Sequence, residues 1–137
     1  MTNVVITGAS GRMGRALIEA TLETEGASLS GATVRPTSTL VSVDAGELVG
    51  QGHHSAPIQS SLNAFISARP VVIDFTTIES ALEHLQWCVT QTLPCVIGTT
   101  GFSDAQENVI TQAAKLIPVV YAPNFSVGVN VVFDLLD

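Results

Sequence analysis

Apolar and polar positions along this chain alternate between two periods. Short apolar, largely β-branched runs at 3–7, 71–75, 94–98 and 118–122 have the length of buried strands, and residues 28–34 read as a second strand. Between them, apolar residues recur at helical spacing. Residues 12–24 read as a helix with Met13, Ala16, Leu17 and Ala20 on one face. A short strand near 56–58 and a weak helix near 61–68 follow. Thr76-x-x-Glu79 has capping-box spacing and precedes Ile78, Ala81, Leu82, Leu85 and Val89, which share a face. Ser103-x-x-Gln106 opens another helix, with Val109, Ile110, Ala113 and Ala114 predicted to face a sheet. Residues 35–55 show no periodicity and carry Gly46, Gly50 and Gly52; so long a loop is expected to be functional or mobile. Strands alternating with helices predict an α/β fold, a doubly wound parallel sheet with right-handed crossovers.

Composition narrows the class. At 137 residues the chain fits one domain, and 46% hydrophobic residues supply a substantial core. No run approaches the roughly 20 apolar residues of a membrane span, so no membrane partner is expected. The first strand begins almost at Met1, and the expectation is a chain without a leader, in the cytoplasm. Cys88 and Cys95 are not in a C-x-x-C pair and read as buried reduced thiols; no metal site is predicted. A net charge of −7 disfavours nucleic acid as a partner.

The candidate chemistry starts at the first strand. Val4-Val5-Ile6-Thr7 runs into Gly8-Ala9-Ser10-Gly11-Arg12-Met13-Gly14, a G-x-x-G-x-x-G turn that opens a helix. A dinucleotide pyrophosphate needs close backbone, free N–H groups and the positive end of a helix dipole. Gly8 suits the tight turn, Gly11 the approach of phosphate, and Gly14 close helix–strand packing. Three more turns fall at carboxyl ends of predicted strands, where open parallel sheets bind ligands: Asp74–Thr76 with Phe75 between, Gly98–Gly101, and Ala122–Phe125. These features define a Rossmann-type domain. Thr76 is read equally well as a helix cap or as a ligand contact.

Together with Asp44-Ala-Gly-Glu-Leu, Ile73-Asp-Phe-Thr76, Val96-Ile-Gly-Thr-Thr-Gly-Phe102 and Asn124-Phe-Ser-Val-Gly-Val-Asn130, the first loop resembles the dihydrodipicolinate reductase family, along essentially the whole chain and in the same order. The resemblance implies NAD(P)H-dependent reduction in the diaminopimelate route to lysine. It implies that Gly8, Ala9, Ser10, Gly11, Arg12 and Met13 hold the pyrophosphate. It also implies that Gly98, Thr99 and Thr100 line the nicotinamide end, with Thr100 near substrate. Ala122, Pro123, Asn124 and Phe125 would close the cofactor groove beside a hinge, and Phe75 and Thr76 would contribute from the neighbouring turn.

Two departures qualify that reading. Where an NAD-preferring fold carries an acidic residue at the end of its second strand, this chain has Val34 followed by Arg35. A guanidinium there suits the 2′-phosphate of NADPH, with a solvent-exposed arginine as the alternative. The family's substrate domain, with a His-His-x-x-x-Lys stretch and a Ser-Gly-Thr loop, has no counterpart here. His53-His54 lacks the following lysine, Lys115 reads as a surface charge, and His84 reads as structural, so no catalytic residue is assigned. The expected organisation is a dinucleotide-binding domain over 1–126 and the start of a hinge helix over 127–137. Asp134 and Asp137 sit poorly at a helix end, as expected either of a frayed last turn or of a truncated longer protein. The apolar face at Val127, Val129, Val131, Val132, Phe133 and Leu136 predicts self-association. Two functions remain open: the NADPH- or NADH-binding half of the reductase, or a stand-alone nucleotide-binding or interaction module without catalysis.

Overall fold

The computed structural model describes residues 1–121. Six strands, β1 (Thr2–Thr7), β2 (Ala27–Thr33), β3 (Ile58–Gln59), β4 (Val71–Asp74), β5 (Cys95–Ile97) and β6 (Val119–Tyr121), form one parallel sheet in the order β3-β2-β1-β4-β5-β6. The helices are α1 (Arg12–Glu23), α2 (Ala45–Leu48), α3 (Ile78–Gln91) and α4 (Asp104–Ala113), with a 3₁₀ helix over Leu62–Ala68. Strand order reverses between β1 and β4, so the turns leaving those strands diverge and open a crevice at their carboxyl ends.

Both faces of the sheet are covered, and the strand period of two shows why. Val4, Ile6 and Ile73 join α1's Leu17 and Ile18 in one core cluster. Val5, Val72, Cys95 and Ile97 point the other way, into a cluster with Leu85 and Cys88 of α3 and Ile110 and Ala113 of α4. Burial on both sides explains why these strands read as continuous apolar runs.

Details depart from the sequence pattern. The buried stripe of α1 is Gly14, Leu17, Ile18 and Thr21, while Met13 is 39% exposed. The glycine at 14 lets that face sit so close to β1 that the apolar stripe rotates toward it. On α4, Ile110 and Ala113 are buried, but Val109 and Ala114 are exposed, because a helix packed on one flank of the sheet presents a narrow face. The cap of α3 is Thr77, whose side chain accepts the Ser80 N–H, and not Thr76. Ser103 and Gln106 do form a reciprocal capping box on α4.

The long connection after β2 is not featureless. Asp44, nearly buried, caps α2 by accepting the Glu47 N–H at 3.1 Å and also accepts those of His54 at 3.0 Å and Ala56 at 2.7 Å. One carboxylate thus ties both ends of the 44–56 segment together, which hydrophobic periodicity does not reveal. Cys88 and Cys95 are both buried and free.

Candidate functional site

The turn after β1 is built from backbone. Gly8 has φ +75°, and a Cβ there would stand 2.8 Å from Thr76 Cγ2, so only glycine fits. A side chain on Gly14 would drive into the Gly8 carbonyl, which is how α1 reaches β1 so closely. At Gly11 the nearest atom to an added Cβ is the Gly8 oxygen at 3.6 Å, leaving room over that residue. The N–H groups of Gly8 and Ala9 both donate to the Thr33 carbonyl at 3.0 Å, locking the loop onto the end of β2, and Gly11 N–H donates to Gly8. The N–H groups of Ser10, Arg12 and Met13 make no hydrogen bond among the described residues. Gly11 supplies no side-chain cap, and the first turn holds no acidic residue. Three unspent donors at a positive helix end are a cradle for an anion.

The turn after β4 is built from side chains. Asp74 is fully buried, yet its carboxylate is satisfied: Oδ1 accepts the Thr76 N–H at 3.0 Å and the Thr76 hydroxyl at 2.6 Å, and Oδ2 is paired with His84 Nδ1. Burial alone would raise its pKa; the bond and charge of His84, with the Thr76 bonds, outweigh that and hold it below the usual carboxylate range. The Thr76 carbonyl in turn accepts the Thr99 hydroxyl at 3.1 Å, and Gly98 N–H donates to the Asp74 carbonyl at 2.9 Å. The Phe75 ring lies directly over Gly98, where any side chain would collide with it.

Between these turns runs a cleft of about 730 Å³. Of the residues anticipated from sequence, Gly8, Ser10, Gly11, Arg12, Met13, Arg35, Phe75 and Thr76 form its wall. Ala9 is fully buried beneath the loop, Thr99 is buried behind Thr76, and Thr100 is exposed; these three and Gly98 lie off the wall. Ala122, Pro123, Asn124 and Phe125 lie outside the described residues, as do the expected domain boundary and the self-association face over 127–136. Two of the chain's five basic residues, Arg12 and Arg35, stand on the cleft although the protein is acidic overall.

Sequence reasoning did not place Ser80, Glu83, His84 and Trp87 here, yet one face of α3 puts all four on the cleft. A signal existed. An acid inside Val71-Val72-Ile73-Asp74-Phe75 requires a partner once buried, and His84 is the basic side chain that α3 brings back over the end of β4. Among the described residues no group of three or more histidine, cysteine or acidic side chains is arranged to hold a metal, and no helix is long and apolar enough to cross a membrane.

Residues 2–125 match the family described as dihydrodipicolinate reductase, N-terminus. The chain belongs to that family. It is 46% identical over 136 residues to a 4-hydroxy-tetrahydrodipicolinate reductase from Hahella chejuensis, covering 99% of this chain and 51% of that one. Among solved structures it resembles dipicolinate-bound dihydrodipicolinate reductase from Paenisporosarcina sp. TG-14, with TM-score 0.74, 27% identity, 93% of this chain and 49% of that one. A putative oxidoreductase from Bacillus subtilis shares the fold at TM-score 0.63 and 17% identity, over 88% of this chain and 34% of that one. The chain thus spans about half the length of the reductases it matches. The doubly wound, Rossmann-like architecture is that of the reductases' N-terminal, nucleotide-binding domain.

Proposed function

We propose that this chain binds a nicotinamide dinucleotide across the β1–β4 crevice and serves as the cofactor-holding part of a 4-hydroxy-tetrahydrodipicolinate reductase. The observation that carries the reading is the set of free N–H groups at Ser10, Arg12 and Met13 beside the open space over Gly11. Those donors and the α1 dipole suit the pyrophosphate, and Phe75 and Thr76 flank the path toward the β5 turn. Gly98, Thr99 and Thr100, behind and beyond Thr76, would meet the nicotinamide end. Ala122 to Phe125 would complete the groove.

The preferred cofactor in this reading is NADPH. Val34 is buried and its N–H is spent on the Gln59 carbonyl, so the end of β2 offers no acidic group to a ribose hydroxyl. Arg35 follows on the cleft wall, exposed, with the turn closed by Ser38 N–H on its carbonyl at 2.9 Å. A guanidinium there meets a 2′-phosphate with paired donors.

When bound, the reduced nicotinamide supplies hydride. Charge developing on a substrate imine must be met by cationic or acidic groups. Among the described residues the charged and titratable groups on the cleft are Arg12, Arg35, Glu83 and His84, and they flank the glycine loop and α3. We therefore assign this chain cofactor binding without turnover of its own. The buried free thiols of Cys88 and Cys95 support a reducing, cytoplasmic setting.

The test uses Trp87, the chain's only tryptophan, which lines the cleft. Titration with NADPH or NADH should quench its emission by energy transfer to the reduced nicotinamide. Absence of both quenching and calorimetric heat at millimolar cofactor overturns the reading. Reductase turnover by the purified chain would overturn the assignment of cofactor binding alone.

A further inference from the structure

Asp74 has no exposed surface, yet every hydrogen bond of its carboxylate goes to a residue on the wall of the cleft. We infer that Asp74 and His84 form a positioning pair: His84 fixes the carboxylate, and the carboxylate fixes Thr76 in the one arrangement that links the cleft's glycine loop after β1 to the turn after β5. The proposal rests on the nucleotide-binding reading above and names what sets the shape of that site.

The chain of contacts is short. Both the N–H and the hydroxyl of Thr76 converge on Asp74 Oδ1, which holds the threonine in a single rotamer. That rotamer points Cγ2 at Gly8, close enough that a Cβ on Gly8 would sit 2.8 Å away. The Thr76 carbonyl is then placed to receive the Thr99 hydroxyl at 3.1 Å. One residue thereby sets the separation between the anion cradle after β1 and the turn after β5. Asp74 can do this only while its second oxygen is also paired, because a buried carboxylate with an empty acceptor either takes up a proton or turns away. His84 Nδ1 provides that pairing from α3, ten residues along the chain.

His84 also lines the cleft, and its Nε2 makes no hydrogen bond among the described residues, so direct contact with the cofactor is the rival account. Two substitutions separate them. His84→Ala removes both the partner of Asp74 and the ring edge. His84→Asn keeps a donor that can reach Asp74 but removes the ring edge. Positioning predicts that His84→Ala weakens NADPH binding, read by Trp87 energy transfer, about tenfold, and that His84→Asn restores it to within about threefold. Amide hydrogen exchange gives a second readout without cofactor: Thr76 N–H should exchange at least about tenfold faster in His84→Ala and return toward the parent rate in His84→Asn.

Unchanged Thr76 exchange in His84→Ala overturns the proposal, whatever the binding result. Restored exchange with binding still as weak in His84→Asn as in His84→Ala assigns His84 as a direct ligand and overturns positioning. If the parent binds neither NADPH nor NADH, the nucleotide-binding reading falls, and the exchange series alone decides whether the pair orders the two loops.

Discussion

The two walls of the cleft are made from opposite materials. After β1 the chain offers backbone: glycines, unspent N–H groups, and room that a side chain would fill. After β4 it offers a network in which a buried acid, a threonine and a histidine satisfy one another and leave little room. The first wall is open because its N–H donors are unspent among the described residues. The second is closed because its buried carboxylate is satisfied by hydrogen bonds inside the protein. A crevice that accepts a charged ligand needs both, one side adaptable in what it bonds and one side rigid in where it stands.

Glycine substitutions break the comparison most sharply. Gly14→Val forces a Cβ into the Gly8 carbonyl, backbone against backbone, and should cost about 3 kcal/mol or more of stability in chemical denaturation. Gly11→Val, three residues earlier, meets nothing closer than 3.6 Å and adopts an extended φ of −82° that valine accepts. Its stability should stay within about 1 kcal/mol of the parent while cofactor binding disappears. Retained cofactor binding in Gly11→Val would show that the space over Gly11 has no role in binding, and destabilisation equal to that of Gly14→Val would show that the space is not open.

On the closed wall, Asp74→Ala leaves His84 and Thr76 without their acceptor and should cost about 2–3 kcal/mol. The same carboxylate sets part of the acid limit. Its folded pKa lies below the ordinary 3.8, so its stabilisation is complete above that value and is lost as pH falls through the folded pKa. Asp44 acts in the same direction: burial raises its pKa, but the backbone bonds from His54, Ala56 and Glu47 and the charge of His53 bring the net value below 3.8. Denaturation midpoints measured from pH 5 down to pH 2 should fall steeply in the parent. The fall should be shallower in Asp74→Asn, where one of the two carboxylates no longer titrates. An identical acid limb in Asp74→Asn would remove Asp74 from that account.

Smaller effects sharpen the contrast. Arg35→Ala should reduce the ratio of NADPH to NADH affinity about tenfold at low salt and less at high salt, since the contact is exposed. A ratio that does not move, or NADH bound more tightly by the parent, removes Arg35 from the 2′-phosphate role. Thr99→Val deletes only the hydroxyl donated to Thr76 and should cost about 1 kcal/mol, with a modest loss of affinity. A larger loss of affinity than of stability would move Thr99 from the supporting layer to direct contact.

How much of this was legible in the chain depended on how local each signal was. The G-x-x-G-x-x-G turn marked the first wall because each of its demands, a positive φ, a close approach and an open space, falls on a single residue or a near neighbour. The second wall was only half visible. Asp74 and Thr76 read as a turn, with the threonine equally a helix cap, a place that Thr77 holds, or a ligand contact. The partner of Asp74's second oxygen, His84, read as a structural helix residue, and that reading missed its place on the cleft.

The amino-acid sequence by itself determined the alternation of strands and helices, the parallel sheet, the glycine-rich turn after its first strand and the family. Those follow from hydrophobic period and glycine spacing, which act over a few residues and survive any change of packing. Only the tertiary structure decided that the stripe of α1 turns toward Leu17, Ile18 and Thr21, and that Asp44 ties the 44–56 segment. It alone decided that α3's Ser80, Glu83, His84 and Trp87 share one cleft with the glycine loop. Those outcomes depend on which elements become neighbours when strand order reverses between β1 and β4. A buried charge then takes its partner from whichever helix the crossover lays against it.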